Sequence, residues 1–161
     1  MIVISDASPL VSLARIDRLS LLRELYAEIT IPPAVRTEVV VQGAGEPGAQ
    51  EVKGADWIEV CQVGNPDLVR ALRQELDAGE AEAIALAKEL GAEFVLMDER
   101  LGREVAAHLG VRCVGTLGVL TEAKGRDLLD AVKPLLDRLV EEADFRISEG
   151  LYRTVLTEAG Q

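Results

Sequence analysis

The sequence predicts an α/β protein, a three-layer α/β/α arrangement around a central, mostly parallel sheet of four or five strands. Two observations lead to it. Short apolar, β-branched runs recur along the chain and read as strands buried on both faces. Between them lie stretches whose apolar residues fall three and four apart, the spacing of helices that cover such a sheet.

The first run, Met1–Ser5, ends abruptly at an acid, Asp6. Ser8 and Pro9 follow as turn residues. Ser8 can cap a helix over Leu10–Ala14, with Pro9 in its first turn, where a missing N–H costs little. Asp6 is thereby placed at the C-terminal tip of the first strand, the edge at which open parallel sheets bind ligands. A helix over Arg18–Tyr26, a strand over Glu28–Ile31 and a helix over Ala34–Val41, opened by Pro32 and Pro33, come next. The stretch QGAGEPGAQ (Gln42–Gln50) is the most loop-like in the chain. Further strands are expected over Trp57–Val60, Glu93–Met97 and Val111–Val114. Helices are expected over Pro66–Leu76, Gly79–Leu90 and Glu99–Leu109, and then over Leu117–Lys124, Leu128–Glu142 and Glu149–Ala159. Pro134 divides or kinks the second-last of these. Residues 1–161 read as a single domain, with 128–161 as a helical extension packed on it. The amphipathic stripe of that extension serves either packing on the sheet or a dimer or partner face.

The chain has 161 residues, 48% of them hydrophobic and 28% charged, which is a soluble, globular composition. No apolar run reaches the length of a membrane span, and no basic leader precedes the first strand. A net charge of −11 argues against broad electrostatic binding of nucleic acid. It leaves room for a nucleic-acid enzyme whose metal ions and a few local arginines handle phosphate, and it suits a basic protein partner. An aromatic content of 3% offers no base-stacking platform. Cys61 and Cys113 lie in apolar, strand-like runs and read as core residues in a reducing cytosol. With the single His108 they cannot complete a four-ligand zinc site.

The acids carry the chemistry. EFVLMDERLGREVA repeats the opening design: a strand, then Asp98, then a helix. Neighbouring parallel strands ending in Asp6 and Asp98 bring two carboxylates to one rim. Glu38, in IPPAVRTEVVV, and Glu80, in LDAGEAEAIALAKEL, lie near helix starts in apolar surroundings. Four carboxylates at one rim raise each other's pKa values, and a hard divalent cation such as Mg²⁺ or Mn²⁺ removes that cost. Helix capping by Asp6 and Asp98, with Glu38 and Glu80 solvated or serving helix N-termini, accounts for the same placement without a metal.

Taken together, strand-Asp-x-Ser, PPAVRTEV, GEAEAIALA and the second strand-Asp, in that order and spacing, resemble a PIN domain, in particular the prokaryotic PIN-like proteins related to VapC-type toxins. The resemblance spans roughly Ile2 to Lys124. It implies a small PIN-like α/β/α fold and a metal-dependent ribonuclease site, with Asp6, Glu38, Glu80 and Asp98 as the acids. Asp6, Glu80 and Asp98 would hold Mg²⁺ or Mn²⁺, and Glu38 would act through water or a second ion. It also implies an RNA substrate, a toxin–antitoxin context with a small antitoxin partner, a homodimer and a cytoplasmic setting. The chain departs from the family pattern in three ways. Glu80 stands where many members carry Asp, with Glu82 as a competitor. Leu96 replaces a frequent hydroxyl residue, and only Glu99 and Glu104 follow Asp98. Ser8 either orients Asp6 or caps its helix.

Arg100 and Arg103, just after Asp98, either meet a substrate phosphate or pair with Glu99 or Glu104. His108 has no catalytic task in this reading. Gly43, Gly45 and Gly48 spell G-x-G-x-x-G after EVVV, with Asp67 further on, but Glu46 and Pro47 lie where a pyrophosphate-binding helix should open. The main rival is a catalytically silent PIN-like binding or regulatory protein.

Overall fold

The structure, a computed structural model, describes residues 1–161. The five apolar runs form five strands: β1 (Val3–Ser5), β2 (Ile29–Ile31), β3 (Ile58–Val60), β4 (Phe94–Leu96) and β5 (Cys113–Val114). All pair in parallel, in the order β3-β2-β1-β4-β5. Parallel neighbours cannot be joined by a tight turn, so every connection carries helices. These are α1 (Ala7–Arg15), α2 (Ser20–Tyr26), α3 (Pro33–Arg36), α4 (Ala49–Gly54), α5 (Pro66–Leu72), α6 (Ala78–Leu90) and α7 (Arg100–His108). Three more, α8 (Thr116–Gly125), α9 (Lys133–Glu142) and α10 (Glu149–Glu158), follow the last strand and close the chain. A single π-helical stretch, Thr37–Gln42, continues α3.

Strand alternation divides the core into two layers. Val3, Phe94 and Leu96 face one cluster, which holds Leu10 of α1, Leu22 of α2, Leu120 of α8 and Leu136 of α9. Ile4, Val95 and Met97 face the other, with Leu72 of α5, Ile84 and Leu86 of α6 and Ala106 of α7. The sheet is thus covered on both faces, which explains why its strands read as unbroken apolar runs. Leu136 is fully buried. Leu136→Ala is expected to cost about 2–5 kcal/mol and to lower a single cooperative melting transition, read by thermal or urea denaturation. No helix is long and apolar enough to cross a membrane.

Four local expectations are corrected. Helix α1 starts at Ala7, so Ser8 is its exposed second residue rather than its cap. Asp6 takes the N-cap position with extended backbone but forms no capping hydrogen bond from its side chain. The Gly/Pro-rich stretch hides the start of α4. There Gly48, at φ 100°, turns the chain into a helix and Glu51 accepts its N–H. Pro134 opens α9 instead of kinking it, and Leu128–Val132 lie outside the helix. The N–H groups of its N-cap residue, Val132, and its first residue, Lys133, donate to Gln161 Oε1 at 3.1 and 2.9 Å. Finally, Cys61 and Cys113 are half-buried free thiols rather than core residues. One follows β3 and the other lies in β5, the two edges of the sheet, where one side of the strand has no neighbour.

Candidate active site

From β1 the chain winds outward through β2 and β3, then returns to the other side of β1 for β4 and β5. This reversal opens a crevice at the C-terminal ends of β1 and β4, where ligands bind in open α/β sheets. Ser5 pairs with Leu96, and the Asp6 N–H donates to the Leu96 carbonyl at 2.9 Å. Asp6 directly follows β1 and Asp98 lies two residues beyond β4, so both acids stand at the crevice.

The other two acids arrive on helices. Glu38 occupies the first turn of the π-helical stretch. Such widened turns are rare and are frequently found at functional sites. Gly79, in the first turn of α6, fits between two of the acids. A Cβ there would stand 3.2 Å from Asp6 Oδ1 and 3.3 Å from Glu38 Oε1, so a bare backbone lets α6 approach both. Next in sequence, Glu80 forms a reciprocal cap with Asp77. The Glu80 N–H donates to Asp77 Oδ1 at 2.8 Å, and the Asp77 N–H donates to Glu80 Oε1 at 3.1 Å. Glu80 Oε2 is left over and faces α7, 3.3 Å from where a Cβ on Gly102 would sit. Asp98 accepts both the N–H and the Oγ1–H of Thr116, at 2.7 and 2.6 Å, and so caps α8.

Asp6, Glu38, Glu80 and Asp98, from four separate segments, line one cleft of about 1310 Å³. None of them is ion-paired. Asp6 is 6% exposed. Its pKa is raised from 3.8 to about 7, first by burial, which the Ala7 N–H opposes, and then by weaker repulsion from each of Asp77, Glu80 and Glu38. Glu38 is also raised, by burial and then by Asp77. Glu80 is raised by burial first, with Asp77 and Glu99 adding to it.

The capping alternative therefore holds in part. Asp98 and one oxygen of Glu80 serve helix N-termini, while Asp6 and Glu38 accept no side-chain or capping hydrogen bond. Glu82, the competitor of Glu80, points elsewhere: its Oε1 accepts the Ala34 N–H at 3.1 Å, at the start of α3, and it lies outside the cleft. Arg100 pairs with Glu104 at 3.1 Å on the surface. Arg103 lines the cleft, held by a 2.9 Å bond from Nη1 to the Met97 carbonyl. His108 is exposed at the far end of α7, and Leu96 is fully buried. The glycines of G-x-G-x-x-G follow a helical turn rather than a strand and precede a helix of six residues, so the dinucleotide context is lacking.

Sequence reasoning missed Asp77, a further carboxylate of the cleft that perturbs Asp6, Glu38 and Glu80. Its signal was the D-x-x-E of LDAGE, a capping box in plain view. The donor set is all carboxylate oxygen, the chemistry of Mg²⁺ or Mn²⁺ sites. Buried Asp6, without a hydrogen-bonding side chain beside it, and the outward oxygen of Glu80 fit that use. No three of these acids are gathered at the spacing of ligands around one ion.

No curated protein matches the chain. A family model described as a PIN domain matches residues 2–161. PIN domains are generally nucleases and typically use divalent metals. The cleft of acids at the sheet's C-terminal rim and this match over nearly the whole sequence agree: the chain belongs to the PIN-domain family.

Proposed function

We propose that this protein is a Mg²⁺- or Mn²⁺-dependent endoribonuclease. The observation that carries the reading is the convergence of Asp6, Glu38, Glu80 and Asp98, from four segments, on one cleft in which burial and repulsion from neighbouring carboxylates raise three of the pKa values. Asp6, Glu80 and Asp98 would hold the metal. When bound, the ion supplies an acidified water and charge stabilisation for in-line displacement at phosphorus. Thr116 fixes the orientation of Asp98. The Asp77–Glu80 box fixes one oxygen of Glu80 and leaves the other free. Glu38, protonated more readily than an ordinary glutamate, is suited to accept a proton from the attacking water.

Cleavage of a mixed RNA pool in Mg²⁺, in Mn²⁺ and in EDTA tests this. Glu80→Gln is expected to cost about a hundredfold or more in rate. Glu82→Gln is expected to keep the rate while losing about 1 kcal/mol of stability at the Ala34 cap. Cutting that persists in EDTA, or a larger rate loss at Glu82 than at Glu80, overturns the assignment. The second reading, a silent PIN-like binding protein, draws on the spacing of the acids, which lack a ready-made set of three ligands. It predicts folded protein with no cutting in any metal.

The toxin–antitoxin context, the homodimer and the cytoplasmic setting belong to the same proposal. Two free thiols suit a reducing compartment. The acidic charge suits a basic antitoxin. Val140, 41% exposed on α9, offers an apolar contact for a second copy. Sedimentation of the purified chain decides between monomer and dimer.

A further inference from the structure

The cleft does not end at the carboxylates. It continues past Gly115 and Gly118 at the start of α8, along β5, to the segment Ala143–Arg146 and one side of α10. β5 is an edge strand with only β4 beside it, so no further strand closes this side.

In a chain of net charge −11, the basic side chains that line the cleft are three arginines: Arg103, Arg112 and Arg146. None of the three is paired with a carboxylate. By contrast, Arg100, Arg126, Arg138 and Arg153 on the outer surface are each held by a glutamate one helical turn away. Arg112 lies over the Phe94 ring at 5.9 Å, a cation–π contact that leaves its N–H donors free. Arg103 spends one N–H on the Met97 carbonyl. A Cβ on Gly115 would stand 3.0 Å from Arg103 Nη1 and 3.0 Å from Asp98 Oδ1, yet these two groups form no ion pair. The missing side chain keeps a space open between cation and acid. A guanidinium fork matches the oxygens of a phosphate, and one beside the carboxylates is placed to hold the strand where it would be cut.

Resting on the nuclease reading, we infer that the cleft is a track for one RNA strand, whose phosphates meet Arg103 beside the carboxylates, then Arg112, then Arg146 across the open edge of β5. Glu93, Asp144 and Glu158 stand on the same walls, so a phosphate lying away from the guanidiniums meets repulsion. This confines the strand to the line of arginines.

The test uses the full chain, an oligoribonucleotide of about twelve nucleotides and a diribonucleotide. It compares wild type with Arg112→Ala, Arg146→Ala and the double variant. Arg70→Ala and Arg153→Ala, at ion-paired positions outside the cleft, serve as controls. The double variant is expected to lose about tenfold of the kcat/KM preference for the long over the short substrate. Its binding of the long oligomer in EDTA should depend less steeply on salt, the log–log slope being shallower by about 1.4 for two lost phosphate contacts. An unchanged preference and slope, with cutting intact, overturns the track and leaves the nuclease standing. A wild type that cuts nothing in Mg²⁺ or Mn²⁺, yet binds with the arginine-dependent slope, overturns the nuclease and leaves the track. Loss of both overturns both.

Discussion

Asp6→Asn is expected to stabilise the metal-free protein at pH 8 while abolishing RNA cleavage. The folded-state pKa of Asp6 is about 7 against an ordinary 3.8. Between those values the folded protein holds a proton that the unfolded chain has released. Stability therefore falls as pH rises from about 4, and the full penalty is present above pH 7. The gap corresponds to roughly 4 kcal/mol, an upper bound because a real site relaxes around its charge. Asparagine removes the charge at nearly constant shape, and the neighbouring carboxylates can accept its amide N–H. At about 2–4 °C per kcal/mol for a chain of this size, the melting temperature should rise by several degrees at pH 8 and by less than half as much at pH 5. Melting curves in EDTA across that range check both the sign and the window. A variant that melts lower than wild type at pH 8 contradicts the picture of a repelled, buried carboxylate.

Asp98→Asn should end cleavage equally but move stability the other way. Asp98 receives two hydrogen bonds from Thr116, at 2.7 and 2.6 Å, and anchors the first turn of α8. Bonds to a charged acceptor contribute about 1.5–3 kcal/mol each, and asparagine keeps one acceptor oxygen of the two. A loss of about 1–3 kcal/mol is expected, along with a rate loss of about a hundredfold or more. Thr116→Val removes only the hydroxyl bond. It should cost about 1 kcal/mol and slow cutting less than Asp98→Asn does, because the carboxylate stays but is held less firmly. Two acids with the same assigned task and opposite effects on stability separate the repelled group from the satisfied one.

The alternation of apolar runs and helical spacing made the layers legible, because each strand is short, buried on both faces and followed by a helix. Asp6 and Asp98 were legible as strand-end acids for the same reason. Glu38 and Glu80 were not, since a glutamate near a helix start looks the same whether it is solvated, capping or ligating. Apolar surroundings near helix starts singled them out, and the resemblance in the motifs assigned them to the site. Choosing Glu80 over Glu82 required the packing of α3 against α6, where Ala34 claims Glu82. The bond from Thr116 to Asp98 spans eighteen residues and depends on the pairing of β4 with β5, which no local pattern encodes. The helix α4 was hidden because Gly48 supplies a left-handed turn that composition alone reads as loop. The exposure of Cys61 and Cys113 followed from their strands falling at the sheet edges, a matter of strand order rather than of residue type.

The most direct measurement is a Mn²⁺ titration of wild type and Asp6→Asn at pH 8, following the melting temperature. Carboxylates that hold the ion predict a rise in the wild type, with about 2.7 kcal/mol of added stability at a hundredfold excess over Kd. They predict no rise in the variant, although it starts out the more stable of the two. No response in the wild type, or an equal rise in both proteins, would contradict a metal site built on Asp6.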